Sequence, residues 1–180
     1  YLFIMNFKEM FSNSAEKINT KQFLTFVSFL ILSLESFAGS GVEKKTMTKE
    51  DVKAVYAKYD QYAKTHQNDT FHTKLDGYDI SMFSVGKGYE FNVVQNIDKT
   101  TTSAVDAGIK ISTEHKAINY HFVDQDADGE ANQVYSTSST STSSTTTNAK
   151  TPVNIKSPEV KSVLPPVFNG VVSVVDQALK

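Results

Sequence analysis

The side chains with the clearest capacity for chemistry lie in a short acidic segment, residues 124–132. Asp124, Asp126 and Asp128 alternate along the chain, and Gly129 follows as the sixth residue. This is the D-x-D-x-D-G spacing of the first half of a calcium-binding loop, in which alternate residues turn their oxygens inward and glycine permits the sharp bend. The segment is therefore a candidate calcium site, and an ion held there would have a structural role, joining two strands, rather than a catalytic one.

The rest of the segment defines the expected ligands and limits the expected affinity. Glu130 would contribute its backbone carbonyl at position seven, and Asn132 stands at position nine. The candidate metal ligands are thus Asp124, Asp126, Asp128, Glu130 and Asn132. Position twelve is Tyr135, where an EF-hand places a bidentate glutamate, so we expect weak binding of the kind found at ~10⁻⁴–10⁻³ M in extracellular modules. The alternative is an acidic, solvated turn, because Asp and Gly are ordinary turn residues.

Recognised catalytic patterns are missing from the sequence. It contains no G-x-S-x-G, H-E-x-x-H, Walker or G-x-G-x-x-G motif, and it has no cysteine that could serve as a nucleophile. The histidines have no metal-ligand spacing and are expected at the surface: His66, His72, His115 and His121. The sequence therefore assigns no catalytic or cofactor-binding residue, and it favours a non-enzymatic protein.

The charge balance argues against nucleic acid as a partner. The chain has 18 basic and 20 acidic side chains, giving a formal net charge of −2, and all the basic residues are lysine. Binding to a phosphate backbone depends on an excess of positive charge, and arginine supplies the planar fork that grips phosphate in bidentate fashion. Neither feature is present.

An apolar run at residues 23–34 predicts the location of the protein. A membrane-spanning helix needs ~20 apolar residues, whereas this run has the length of a signal-peptide core. Lys17 and Lys21 form a basic flank before it, and small residues follow at the expected cleavage point. We expect residues 1–38 to be a leader whose secretory signal is cleaved after Ala38, leaving an extracellular or periplasmic product without a stable membrane span. An uncleaved anchor and a buried core helix are the alternatives.

The clearest helix of the expected mature protein begins at Thr48, whose hydroxyl can cap the first turn. Glu50 and Asp51 then lie where the helix dipole favours negative charge. Apolar residues follow at spacings of three and four: Val52, Val55, Tyr56, Tyr59, Tyr62 and Ala63. This stripe predicts a helix that ends near residue 66 and packs its aromatic face into the core.

Beyond residue 77 the apolar period changes to two, which is typical of strands. Alternating patterns occur at residues 78–82, 89–93, 105–111 and 118–122, with a weaker one at 70–75. Tight turns are expected at residues 86–88 and at Glu114 and His115. No helical pattern separates these strands, so the predicted fold is α+β, with one N-terminal helix packed on a four- to five-stranded antiparallel meander.

The C-terminal part has a different composition. Twelve consecutive Ser and Thr residues, 136–147, predict a flexible spacer that has no apolar side chains to bury. Four prolines follow, predicting an extended segment and a helix start before Val167. The apolar residues beyond it fit a helical face, and a strand at 171–175 is the alternative. The expected division is a leader (1–38), an α+β domain (46–135), a Ser/Thr-rich linker (136–150) and a C-terminal segment (151–180).

These features favour a small secreted or periplasmic domain that binds an unknown protein or surface ligand. An exposed sheet face or sheet edge would form the contact. One alternative is a secreted hydrolase whose acidic residues converge only in three dimensions. The other is a structural cell-surface protein that uses the Ser/Thr tract as a stalk.

Overall fold

A computed structural model describes residues 15–39, 47–66, 70–105, 108–142 and 145–180. The elements within these ranges are, in chain order, α1 (Ala15–Gly39), α2 (Lys49–Thr65), β1 (Thr70–Leu75), β2 (Tyr78–Val85), β3 (Gly88–Val105), β4 (Gly108–Asp124), β5 (Gln133–Thr142), β6 (Thr145–Pro152) and α3 (Pro158–Ala178). The fold is therefore α+β, and the described residues form three helices and one six-stranded antiparallel sheet.

Helix α2 confirms the helix predicted from the Thr48 cap. The Thr48 hydroxyl accepts a hydrogen bond from the Asp51 backbone N–H, and the Asp51 carboxylate accepts one from the Thr48 backbone N–H. Together these two bonds form a capping box, which satisfies two helix-terminal donors. The predicted stripe is also confirmed, because its first four members are buried: Val52, Val55, Tyr56 and Tyr59.

The sheet is a simple meander in which each strand pairs with the next along the chain, in the order β1 to β6. The predicted hairpin of β2 and β3 is confirmed, with Gly86 in the turn. The turn expected at Glu114 and His115 is wrong, since both residues lie inside β4 and pair with β3. The Thr-rich stretch around residue 101 has high strand propensity and extends the pairing well past the apolar segments.

The Ser/Thr tract is also not a spacer in the structure. Its described residues, 136–142 and 145–147, lie in β5 and β6, where β5 pairs with β4 on one side and with β6 on the other. As an isolated chain, the tract has no apolar side chains whose burial could offset the entropy lost on ordering it, which is why its composition predicts a spacer. In the sheet the tract gains backbone hydrogen bonds from neighbouring strands, and threonine has high strand propensity.

The C-terminal segment forms a helix, α3, and not the alternative strand at 171–175. The helix begins before the expected Val167, with Ser157 as its cap and Pro158 in the first turn, and it continues through Pro165 and Pro166. A proline inside a helix removes one N–H and leaves the carbonyl four residues earlier without its partner. Both prolines are exposed, and so are Lys161 and Ser162, the residues whose carbonyls lose that partner.

All three helices cover the same face of the sheet and share one core. Phe23 of α1 lies 6.2 Å from Phe122 between ring centroids, and Phe168 of α3 lies 5.5 Å from Phe91. The prediction of a single helix on the sheet was therefore incomplete.

In α1, the segment expected to be a signal peptide lies in the core, as the alternative of a buried helix expects. Cleavage after Ala38 remains a prediction. Within the described ranges, no helix combines the length and the apolarity needed to cross a membrane.

Candidate metal centre

Asp124 is the fully buried end of the acidic segment. It is the last residue of β4, and three donors surround its carboxylate. Oδ2 accepts hydrogen bonds from the Tyr56 hydroxyl at 2.8 Å and from the Gly129 N–H at 2.7 Å, and Oδ1 accepts one from the Asp128 N–H at 3.2 Å. Burial and the hydrogen bond to Asp124 raise the pKa of Tyr56. The tyrosine therefore remains a hydroxyl donor, which a buried carboxylate requires.

The other two aspartates of the motif converge on Asp124. One ligand oxygen from each of Asp124, Asp126 and Asp128 lies within 4.8 Å of the other two. Asp126 is exposed, and its Oδ1 accepts a hydrogen bond from the Asn132 side-chain amide at 3.0 Å. Asp128 accepts a hydrogen bond from the Glu130 N–H at 2.9 Å. This acidic triad could hold a metal ion.

Two residues of the loop have left-handed backbone conformations that bring the carboxylates together. Ala127 has φ 56° and Gly129 has φ 96°. A Cβ atom at Gly129 would also lie 2.8 Å from the backbone oxygen of Lys49, too close for an ordinary contact. Glycine is therefore needed here twice, once for the bend and once for the close packing of the loop on the first turn of α2.

The loop lies beside the positive end of α2, which favours nearby negative charge. The Lys49 ammonium contacts Oδ2 of Asp128 at 3.0 Å and Oε1 of Glu130 at 3.1 Å. The hydrogen bond from Lys49 lowers the pKa of Asp128, and the same contacts raise the pKa of Lys49. All three side chains are exposed, so these ion pairs contribute little to stability but keep a cation at the edge of the triad.

The structure thus brings three of the five proposed ligands together and gives the remaining two other partners. The Glu130 carboxylate turns to Lys49. The Asn132 side-chain oxygen accepts a hydrogen bond from the Gln125 N–H at 3.2 Å, so this residue braces the loop. The sequence does not predict the roles of Tyr56 and Lys49, because they lie 68 and 79 residues from Asp124 and Asp128. No local spacing indicates contacts between residues so far apart.

A small cleft of about 220 Å³ opens beside this loop, between the start of α2 and helix α3. Lys49, Glu130 and Asn169 form its polar side, and Leu164 and Phe168 form part of its apolar side. The buried carboxylate of Asp124 does not line it. The cleft is smaller than typical ligand pockets, which enclose about 300–1,000 Å³.

A second polar cluster lies on the sheet face opposite the helices, and the sequence did not predict it. His121 Nδ1 lies 2.5 Å from Oε1 of Glu90, and His121 Nε2 lies 3.0 Å from Oγ1 of Thr137. The Tyr135 ring stacks on His121 at 4.3 Å, and its hydroxyl donates to Glu90 at 3.1 Å. His121 is on the predicted polar face, but its side chain is only 12% exposed, so it is not an ordinary surface histidine.

The other histidines lie apart from this cluster. His66 caps the end of α2, and His72 and His115 are exposed on β1 and β4. In the part of the chain that the structure describes, the acidic triad is the one group of three or more His, Asp or Glu side chains placed to hold a metal ion. Comparison of the chain with protein-family models, with curated proteins and with solved structures finds no match.

Proposed function

We propose that this protein is a small secreted or periplasmic binding domain, without enzymatic activity, whose acidic loop is stabilised by calcium. The observation that carries the calcium assignment is the convergence of Asp124, Asp126 and Asp128 within 4.8 Å. Secretion rests on the apolar run before Ala38. The partner is an unidentified protein or surface ligand.

The charge of the loop supports a bound cation. With Glu130, the triad brings four carboxyl groups into seven residues, and Lys49 is the cation that pairs with Asp128 and Glu130 among the described residues. Like charges at such distances repel, and an ion of charge +2 offsets the excess. Calcium fits better than a transition metal, because carboxylate and carbonyl oxygens are the ligands that hard cations prefer.

The proposed role of the ion is to hold the connection between β4 and β5 against α2. The aspartate oxygens supply the first ligands, and water fills positions that the chain leaves open. Glu130 would contribute its backbone carbonyl, which its side-chain contact with Lys49 leaves free of that partner, whereas Asn132 would join only after its side-chain oxygen leaves the Gln125 N–H. This requirement is consistent with weak affinity, which suffices where calcium is millimolar.

A thermal melt of the full chain tests the calcium assignment. The protein is melted in excess EDTA and in millimolar calcium, beside Asp126→Asn, which removes an exposed carboxylate of the triad, and Glu159→Gln, which removes an exposed carboxylate on α3. A ligand at ~100 times its dissociation constant stabilises the folded state by about 2.7 kcal/mol. We expect calcium to raise the melting temperature of the parent and of Glu159→Gln, and to have little effect on Asp126→Asn.

Identical melts with and without calcium would refute the assignment and leave the loop as a hydrogen-bonded acidic turn. A rise that persists unchanged in Asp126→Asn would place the ion elsewhere. Magnesium is a useful competitor, because it demands a tighter octahedral site and should stabilise the loop less.

The alternative of a secreted hydrolase gains one specific observation. Glu90, His121 and Thr137 follow the order carboxylate, imidazole and hydroxyl that activates a nucleophile. If this cluster were catalytic, the protein would hydrolyse simple activated esters, and both Thr137→Val and His121→Gln would abolish the activity. The proposal of a binding domain expects no hydrolysis by the parent above the buffer rate.

A further inference from the structure

We propose that the face of the domain beneath α1 is its partner-binding groove, and that it takes an apolar α-helix of a partner protein once the leader is removed. This inference rests on the proposed secretion and deepens it by naming the surface and the kind of partner. In the uncleaved chain α1 occupies the groove, and its contacts define what the groove accepts.

The groove is complementary to a helix with apolar side chains on one face. Phe23, Phe26, Val27 and Leu30, at the spacings i, i+3, i+4 and i+7, are at most 2% exposed. The Phe26 ring stacks on Tyr120 at 3.8 Å, and its edge meets Tyr78 at 5.9 Å. Helix-in-groove recognition uses anchors at these spacings.

Two further contacts favour a helix over another apolar ligand. The Tyr120 hydroxyl donates a hydrogen bond to the backbone carbonyl of Gln22 at 3.3 Å, a contact that any helix could supply whatever its side chains. Gly170 lies in the middle of α3, and a Cβ atom there would overlap the Leu34 side chain. Glycine weakens a helix interior, and at this crossing it leaves space for an apolar side chain of a neighbouring helix.

Removal of the leader would empty the groove almost completely. Cleavage after Ala38 removes all of α1 except Gly39. Two buried aromatic side chains alone cover about 300–500 Å², which is as large as the biggest apolar patch on a typical monomer. A domain that loses α1 therefore needs another occupant for this face.

The fit of α1 also leaves room for a better occupant. A cleft of about 320 Å³ remains between α1 and the sheet, lined in part by Phe26, Ile118 and Tyr120. On the outward side of α1, Phe29 and Leu32 are 55% and 61% exposed. Helix α1 thus fills the groove incompletely and carries apolar side chains that the domain does not cover.

The experiment uses the full chain, with a protease site placed within residues 40–46 and cut after folding. The probe is a fluorescent synthetic peptide of residues 15–39, and its uptake by the nicked protein is followed by fluorescence anisotropy. Unlabelled peptides carrying Phe26→Ala or Leu32→Ala serve as matched competitors, because Phe26 is 2% exposed on the groove side of the helix and Leu32, on the outward side, is 61% exposed. Circular dichroism monitors the sheet throughout.

We expect the labelled peptide to replace α1 while the sheet signal is retained. The Leu32→Ala competitor should match the parent peptide, and the Phe26→Ala competitor should be about 100-fold weaker, since truncation of a buried phenylalanine is among the most costly core changes. Tyr120→Phe in the protein should weaken uptake a few-fold through loss of the backbone contact.

Three results would overturn the proposal. Failure of the peptide to exchange would make α1 a permanent core helix, and loss of the sheet on nicking would show that the groove does not persist without it. Equal competition by both variants would indicate non-specific apolar adhesion. The N-terminal sequence of the exported protein tests secretion separately, so selective uptake without cleavage would refute the proposed secretion but leave the groove chemistry intact.

Discussion

The acidic loop and the α1 groove attach helices to the same sheet by opposite physical means. At the loop, α2 is attached through directional contacts, a buried hydroxyl on Asp124 and an exposed ammonium on Asp128. At the groove, α1 is attached through stacked rings and aliphatic packing, with one hydrogen bond from Tyr120. Apolar packing stores most of the stability of a fold, whereas polar contacts fix geometry and respond to ions and pH.

The largest expected effect distinguishes the two sides of α1 within the full chain. Phe26→Ala should lower the free energy of unfolding by about 3–5 kcal/mol, because it leaves a cavity against Tyr120. Leu32→Ala, on the exposed side of the same helix, should change it by no more than about 0.5 kcal/mol. Denaturant unfolding measures both values. Equal effects would mean that α1 does not pack specifically on the sheet.

The corresponding test of the loop removes one atom. Tyr56→Phe deletes the hydroxyl that donates to the buried Asp124 and should cost about 1–3 kcal/mol, the range for leaving a buried group without a partner. Tyr62→Phe is the matched control on the same helix, because the described contacts of Tyr62 with His66 and Phe71 are made by its ring. Comparable losses in the two variants would remove the special role of Tyr56.

Alkaline pH should act on the groove before it acts on the loop. Burial raises the pKa of Tyr120 to about 12 from an ordinary value of 10.0. Because the folded state favours the neutral hydroxyl, the stability that this burial contributes is complete below pH 10 and is lost as pH rises towards about 12. Tyrosinate absorbance and the free energy of unfolding should change together in this window. Phe26→Ala, which exposes the Tyr120 ring to water, should shift part of the titration to lower pH, and Leu32→Ala should not.

The smallest expected effect concerns Lys49 and has opposite signs in two conditions. In EDTA, Lys49→Gln should lower the free energy of unfolding only slightly, because its ion pairs are exposed. In calcium, Lys49→Gln should strengthen calcium binding by the acidic loop, since the substitution removes a competing cation from Asp128. The lowered pKa of Asp128 contributes stability above its ordinary pKa of 3.8 that is lost as pH falls below it, and the variant should lack this contribution. Isothermal titration and acid unfolding measure the two effects, and weaker calcium binding would contradict the proposed site.

The sequence predicted features that local spacing determines. The Thr48 cap, the stripe of α2 and the alternation of β2 and β3 each concern neighbours within one or two turns or strands. The D-x-D-x-D-G spacing likewise located the triad, because a loop of this length must fold on itself. Such features are encoded within about ten residues, so one sequence is sufficient to identify them.

The features that were missed depend on contacts between distant segments. Nothing near Tyr56 indicates that its hydroxyl meets Asp124, and nothing in the apolar run before Ala38 indicates whether it packs on Tyr120. The prediction of a flexible spacer at the Ser/Thr tract was wrong for a related reason. Composition indicates the entropy cost of ordering a chain but not the hydrogen bonds that a neighbouring strand supplies. The sequence therefore predicts the individual helices and strands better than the contacts between them.

The same tract has a consequence for the tolerance of the chain to insertions and deletions. In β5 beyond Tyr135, Ser or Thr occupies every position, so a shift of two residues presents the same kind of side chain on each face. The register is instead fixed at the base of the hairpin, where Val134 and Val153 are buried and the N–H of Val153 bonds to the carbonyl of Val134 at 2.9 Å. Pairs of hydroxyl residues could therefore be gained or lost at the outer end of this hairpin without disturbing the core, which makes it the segment where length variation should be best tolerated.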